Sequence, residues 1–371
     1  KQIAEDWQTI KKSMVKFLDS GYNNNESPEK IPADKTALEK LSEYAIKNWQ
    51  LTNANLELTN LCNNRCKWCY TDDFKLYGLS KDHLINLADE LLKENVLFLL
   101  FTGGEIFLRP DVMEIIEEFA KRKFIIELKT NGTMINDSII ERLSGMPLLD
   151  VQVSIYGIND GWSEEMQAVY PYNKIRGSIR KMINAGIPVT QSVLVGKHNV
   201  GNLANIHNRL LESGAKVFYS PYITPNRSGP GQEIEFRLTH YEMEEKFRPF
   251  LEEIDAMPPQ KQYRDCSNDK TVCYAGRDQI AIGADGRIYP CLDLRLPMGN
   301  IKDEKLTEII SRRKKTMDQF NLSDIAKCNN CSLGNYCDSC VGVALIENGD
   351  YRQPSQHKCD IVHFYNSHER R

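Results

Sequence analysis

Three cysteines stand close together in Leu61-Cys62-Asn63-Asn64-Arg65-Cys66-Lys67-Trp68-Cys69-Tyr70, at Cys-x3-Cys-x2-Cys spacing. Three thiolates on one short loop can hold three irons of a cubane 4Fe–4S cluster and leave the fourth iron without a protein ligand. Such clusters normally take four cysteines, so a three-cysteine loop implies an iron kept open for a small molecule. The same spacing also suits a zinc loop short of its fourth ligand, or core thiols with no shared role. Farther on, Gly103-Gly104-Glu105 follows the apolar run Val96–Phe101. Glycines there let a ligand approach the backbone, and a carboxylate can accept charge-assisted hydrogen bonds from an ammonium group. Near the C-terminus Cys266, Cys273, Cys291, Cys328, Cys331, Cys337, Cys340 and Cys359 supply eight more thiolates. That is the number two fully ligated 4Fe–4S clusters need, and a pair of zinc sites is the alternative.

These residues need elements to position them. Strand-like runs fall at about 54–59, 96–102, 124–130, 150–156, 188–195 and 216–222, with helical patterns between them. Among the helices, Leu84-Ile85-Leu87-Ala88-Leu91-Leu92 follows a capping Ser80, and Val112-Ile115-Ile116-Phe119 carries the same period. A strand roughly every 30 residues with a helix between is a string of βαβ units, hence a parallel sheet. Six units fall short of the eight that close a complete barrel. Sheets of this kind put chemistry at the carboxyl ends of their strands. The cysteine loop, Gly103–Glu105, Thr130-Asn131-Gly132 and Ser154 all lie there. A charged helical stretch (239–256) and Pro258-Pro259 mark a boundary, beyond which most of the cysteines lie.

With 371 residues and 41% hydrophobic content, the chain can bury cores for two ordinary domains. A formal charge of −4 argues against a general nucleic-acid binder. The longest apolar run, Val96–Phe101, is far too short to cross a membrane. Eleven cysteines arranged partly as CxxC pairs indicate metal sites in a reducing, cytoplasmic compartment rather than disulfides.

The cysteine loop together with the GGE tripeptide resembles the radical S-adenosylmethionine (SAM) family. The series Cys273-x12-Gly286-x4-Cys291, Cys328-x2-Cys331-x5-Cys337-x2-Cys340 and Cys359 resembles the SPASM extension of such enzymes, with two residues rather than the usual three between Cys337 and Cys340. The resemblance implies a partial (β/α)6 TIM-type barrel over residues 51–260 and a small cysteine-rich α+β SPASM domain over 261–371. It implies SAM and three 4Fe–4S clusters as cofactors, the first on Cys62, Cys66 and Cys69. Auxiliary cluster I would take Cys266, Cys273, Cys291 and Cys340, and auxiliary cluster II Cys328, Cys331, Cys337 and Cys359. If Cys266 does not bind, cluster I keeps an open iron. By the same resemblance the ammonium of SAM meets main-chain carbonyls at Gly103-Gly104 and the Glu105 carboxylate. Trp68 lies near the adenine, unless it is an ordinary packing aromatic, and Ser154 offers a hydroxyl to the ribose or carboxylate. Asn131 and Gly132 either contact SAM or form a turn, and Asp293 is either a local base or an exposed loop acid. Two departures stand out: Ile106 replaces the usual Pro after GGE, and Met166 stands where many relatives carry Arg.

Residues 1–50 read as an N-terminal helical segment. It is either the end of a leader-binding domain whose start is absent, or helix packed on the barrel. The first alternative and the resemblance together imply a maturase. Such an enzyme would cleave SAM reductively to a 5′-deoxyadenosyl radical and oxidatively modify a ribosomal precursor peptide, through a thioether or carbon–carbon crosslink. Its partners would be that peptide and a flavodoxin- or ferredoxin-type electron donor. The same chemistry could instead oxidise a protein side chain to formylglycine or act on a small molecule. A non-enzymatic iron–sulfur or zinc protein is the reading that differs most.

Overall fold

The structure, a computed structural model, describes residues 35–258, 271–329, 331–337 and 339–367. The helical pattern of residues 3–20 and Cys266 lie outside the described residues, whereas the second N-terminal pattern is a helix at Lys35–Asn48.

Six parallel strands form as the alternating runs require: β1 (Asn53–Thr59), β2 (Phe98–Gly103), β3 (Ile125–Thr130), β4 (Leu148–Ile155), β7 (Val189–Leu194) and β8 (Lys216–Ser220). Between β4 and β7 a small antiparallel hairpin, β5 (Gly161–Ser163) and β6 (Ala168–Tyr170), stands apart as its own sheet. Beyond residue 270 come β9 (Gln279–Ile282), β10 (Arg287–Tyr289) and β11 (Gly299–Asn300). These join the first six in one sheet of order β11-β10-β9-β1-β2-β3-β4-β7-β8. β9 pairs in parallel with β1, from Asn53 opposite Gln279 to Leu56 opposite Ile282. The cysteine-rich part is thus hydrogen-bonded into the barrel sheet, a continuity that the composition change at 258 hides.

Each strand shows two faces. In β4, Val151, Val153 and Ile155 are buried in the main core, while Asp150, Gln152 and Ser154 are half-buried on the other side. The core side packs on helices whose apolar stripes match it. In Lys81–Lys93 these are Leu84, Leu87, Ala88 and Leu91; in Val112–Lys121 they are Val112, Ile115, Ile116 and Phe119. Each of these side chains other than Ala88 contributes about 1.5–3 kcal/mol on burial. Ser80 caps the first of these helices, its hydroxyl accepting from His83 N–H at 3.3 Å. The opposite, concave face carries Asn55, Glu57, Glu127, Lys129, Gln152, Ser154, Thr190 and Ser192. In register, Lys129 lies opposite Gln152, Gln152 opposite Thr190, and Ser154 opposite Ser192. A closed barrel fills this space with layers of branched apolar residues; here Leu100, opposite Asn55 and Glu127, is set among mostly polar neighbours.

The charged stretch near 240–253 is helical, with a π turn over Met243–Phe247 between His240–Glu242 and Arg248–Glu253. Pro249 accounts for the widened turn, because it has no N–H to give and its ring clashes with a carbonyl one turn back. A second, smaller core of Val272, Ala275, Leu294, Met317, Phe320, Leu322, Ile325 and Val341 lies among the C-terminal cysteines, with Cys273, Cys291 and Cys328 packed against it.

Candidate functional site

β1 ends at Thr59 and delivers the chain into the cysteine loop at the carboxyl edge of the sheet. The loop is fastened on several sides. Arg65 N–H donates to Met166 O and Lys67 N–H to Glu165 O, both at 2.8 Å, so the β5–β6 hairpin grips its outer side. Asn131 Nδ2 donates to Asn63 Oδ1 and Asn63 Nδ2 to Thr133 Oγ1, both at 2.8 Å. Asn131 Nδ2 also points to Cys62 Sγ at 3.9 Å. The Asn131-Gly132-Thr133 turn therefore braces the first cysteine from beyond β3. Met166, where an Arg was expected, is 2% exposed, so its side chain serves the core while its carbonyl holds the loop.

Cys62, Cys66 and Cys69 carry free, half-buried thiols. Burial pushes all three above the usual thiol range, and Cys66 is raised further by Cys69 and Cys62 beside it. Three clustered thiols that resist ionisation alone are suited to a cation that deprotonates them on binding. Iron–sulfur ligation fits this donor set. Among the described residues no three His, Cys, Asp or Glu groups converge as they would on a single metal ion. Buried Asn64 Nδ2, Trp68 Nε1 and His198 Nδ1 have no hydrogen-bond partner among the described residues. Such orphaned polar atoms beside the thiols fit a polar organic ligand such as SAM.

Gly103 and Gly104 are required by the chain's own backbone. Gly103 has φ of 140°, and a Cβ there would sit 2.1 Å from Thr59 O. At Gly104 a Cβ would sit 2.2 Å from Leu61 O and 2.6 Å from Asn60 O. Gly104 N–H donates to Thr59 O, and Glu105 N–H to Leu61 O, each at 2.7 Å. The glycines thus seat the start of the cysteine loop against β2. Glu105, read from the motif as an acceptor for the ammonium of SAM, is held inside the protein. It is fully buried, and its carboxylate accepts from Phe107 N–H at 3.1 Å, Thr130 Oγ1 at 2.8 Å and Asn131 N–H at 2.7 Å. Burial raises its carboxyl, against those hydrogen bonds. Its observed work is to tie the β2 loop to the end of β3.

Trp68 is buried within an aromatic group from distant segments. It stacks on His198 with centroids 4.5 Å apart and meets Phe236 edge-on at 5.5 Å, with Tyr156 tilted at 5.5 Å. Ser154 is half-buried near the end of β4 and hydrogen-bonds the Tyr156 phenol, which burial pushes well up. His198, Tyr156 and Phe236 were not foreseen; His198 and Tyr156 lie just beyond the ends of β7 and β4, whereas Phe236 closes the short helix Gln232–Phe236 and gave no such signal. Burial lowers the His198 imidazole to about 4 from 6.5. An unfolded His takes up a proton first as acid is added, so this contribution to stability is complete above pH 6.5 and lost towards pH 4. His357, held down to about 3 by burial, acts in the same direction. The melting temperature is expected to fall between pH 6.5 and 5, and less steeply in His198→Phe, which keeps the stack on Trp68. An unchanged slope would show that His198 is not a titrating group.

The C-terminal cysteines line two cavities. One of about 350 Å³ is bordered by Cys273, Cys291, Cys337 and Cys340, and by Asn55 and Gln279 from the barrel sheet. The other, of about 310 Å³, is bordered by Cys328, Cys331, Cys337, Cys340 and Cys359, with Lys327 and Lys358. Cys337 and Cys340 face both. Asp293 is half-buried on the wall of the first cavity rather than out on an exposed loop. Burial raises the thiols of Cys291, Cys340 and Cys359, the same signature as in the first loop.

Comparison with known proteins agrees with this layout. The profile of the Radical SAM superfamily matches residues 56–210, and that of an iron–sulfur cluster-binding domain, SPASM, matches residues 273–340. An AdoMet-dependent heme synthase of Methanosarcina barkeri (strain Fusaro / DSM 804) is 24% identical, over 80% of this chain and 92% of that protein. The sporulation killing factor maturation protein SkfB of Bacillus subtilis (strain 168) is also 24% identical, over 68% of this chain and 63% of its own length. Among solved structures, Streptococcus suis SuiB bound to S-adenosylmethionine has a TM-score of 0.62 at 14% identity, over 96% of this chain and 89% of SuiB. SuiB bound to its precursor peptide SuiA also has a TM-score of 0.62 at 14% identity, over 94% of this chain and 87% of SuiB. The two profiles fall in the same order as the two cysteine groups: this chain belongs to the radical SAM superfamily, as an enzyme that carries a SPASM domain.

Proposed function

We propose that the protein is a maturase that oxidatively crosslinks a ribosomal precursor peptide, by a thioether or carbon–carbon bond. One observation carries the reading: a three-thiol loop stands at the edge of the same sheet that borders one cysteine-lined cavity, and a second cysteine-lined cavity shares Cys337 and Cys340 with the first. Cys62, Cys66 and Cys69 would hold the SAM-binding cluster. Cys273, Cys291 and Cys340, with Cys266, would hold auxiliary cluster I. Cys328, Cys331, Cys337 and Cys359 would hold auxiliary cluster II. When bound, SAM on the reduced cluster supplies hydrogen-atom abstraction from an unactivated carbon. The chain's part is to hold the reactants and keep water out. Trp68, buried on His198, would flank the adenosyl group; Asn131 and the Gly103–Gly104 backbone would frame the amino-acid end, and Ser154 the ribose or carboxylate. A flavodoxin- or ferredoxin-type protein of the cytoplasm would supply electrons. Among the described residues no helix is long and apolar enough to cross a membrane.

The peptide reading draws on SkfB, a maturation protein by name, and on SuiB, solved with a precursor peptide. A second reading, chemistry on a tetrapyrrole or another small molecule, is favoured by the heme synthase, of which this chain spans 92%. The two separate on incubation of reconstituted enzyme with SAM, a reductant and candidate peptides encoded nearby. Loss of a pair of hydrogens from a peptide is expected; SAM cleavage with every peptide unchanged, and turnover only on a small molecule, would reverse the choice. In the same assay Cys331→Ala, which alters an exposed thiol of the outer cavity, is expected to keep some SAM cleavage and lose modified product.

A further inference from the structure

Glu57 sits on the concave side of β1 with its side chain only 2% exposed. A buried carboxylate needs strong partners, and Glu57 has two cations. Arg227 forks onto it, with Nη1 donating to Oε2 at 3.3 Å and Nη2 donating to Oε1. Arg295 Nη2 donates to Oε1 at 2.8 Å. Each guanidinium also covers a ring: Arg227 lies 4.2 Å from the Tyr70 centroid, and Arg295 4.6 Å from that of Tyr289. Burial alone would raise the Glu57 carboxyl, but the two arginines hold it below its ordinary value. Two cations against one anion leave a surplus positive charge where little water can screen it.

The three residues also join the two places where iron–sulfur chemistry is proposed. Arg227 comes from the turn beyond β8, where its N–H donates to Tyr70 O at 2.9 Å and Asn226 Nδ2 donates to Cys69 O at 3.4 Å. Arg227 thereby stands beside Cys69, and its charge opposes the burial that raises that thiol. Arg295 follows Cys291, and its Nε donates at 2.9 Å to the carbonyl of Leu292, a residue of the first auxiliary cavity. Two residues before Glu57 on the same strand, Asn55 borders that cavity as well.

We propose that Arg227, Glu57 and Arg295 form one electrostatic clasp that sets the redox balance between the cysteine-loop cluster and auxiliary cluster I. Arg227 favours the reduced, more negative state of the first, Arg295 that of the second, and Glu57 moderates both. The inference rests on the iron–sulfur occupancy proposed above. These are positioning residues, acting through charge without touching the reacting atoms. A unit charge roughly 10 Å from a redox centre shifts its reduction equilibrium by about tenfold at an effective dielectric near 20.

The test is a potentiometric titration of the full chain, reconstituted anaerobically with iron and sulfide and followed by electron paramagnetic resonance. The cysteine-loop signal is recognised by its response to added SAM. Arg227→Gln is expected to make that cluster about tenfold harder to reduce at a fixed mediator potential, and auxiliary cluster I harder by a clearly smaller factor. Arg295→Gln gives the reverse assignment, and Glu57→Gln makes both clusters easier to reduce. Arg227→Lys, which keeps the charge without the fork, restores the wild-type balance. A purely structural clasp would lower the melting temperature of all the variants and show no such pattern of signs. Equal shifts, or none, with all signals present would overturn the clasp alone. Wild-type protein that binds iron at neither site would overturn the occupancy and the clasp together. Should Glu57→Gln fail to fold, the opposite assignments of the two arginine variants decide.

Discussion

Cys66→Ala is expected to abolish SAM cleavage and remove about four of the roughly twelve irons expected for three cubanes. Cys66 is the middle thiol of the loop, packed against the main core and raised by both of its neighbours. Two remaining thiolates leave two irons of a cubane without protein ligands, and the cluster has no other cysteine within this loop to recruit. The fold has little reason to suffer, because the loop is held by backbone bonds from Arg65 and Lys67 to the β5–β6 hairpin and by the Asn63–Asn131 pair. The discriminating comparison is therefore iron content and deoxyadenosine formation against the melting temperature. Unfolded protein would say nothing specific about the thiol. Folded protein with full iron and normal SAM turnover would refute the assignment of the loop. The contrast with Cys331 sharpens the point: that thiol is exposed at the outer cavity, and its loss is expected to uncouple cleavage from product rather than stop it.

How much of this was legible in the sequence depends on the range of the forces involved. The six βαβ units were readable because each strand and helix carries its own period, and Ser80 because a cap acts over three residues. The first cysteine loop was readable because its three cysteines are neighbours in the chain. The hairpin at 161–170 was missed; its strands are three residues each and present Trp162 and Val169 to solvent, so no buried face imposes alternation. β9 was missed because four residues are enough once β1 offers an open edge. Glu57 looked like the polar position of an alternating strand. Its partners are 170 and 238 residues away, and only the fold brings them to it. The motif Gly103-Gly104-Glu105 was visible, but its local work was not. A tripeptide does not reveal whether close approach is needed by a ligand or by the preceding strand's own carbonyls.

Gly104→Ala separates those two roles, and a loss of at least about a hundredfold in SAM cleavage is expected from it. The added Cβ would meet Leu61 O at 2.2 Å, Asn60 O at 2.6 Å and the Leu61 carbonyl carbon at 2.7 Å. All three are backbone atoms at the entrance of the cysteine loop, so no side chain can swing aside to make room. The loop has to move by something near an ångström, which breaks the 2.7 Å bonds from Gly104 N–H to Thr59 O and from Glu105 N–H to Leu61 O. Cys62 is the residue after Leu61, so the displacement reaches the first thiol directly. Because the damage falls on the loop proposed to hold the cluster, iron there should decline along with activity, and extra SAM should not restore turnover. A glycine needed only to admit the ligand gives the opposite result. Iron would stay at the wild-type level, SAM would bind more weakly, and saturating SAM would recover the rate. That outcome would make admission of SAM the reason for Gly104 and leave the bonds between β1 and β2 as a by-product of the turn.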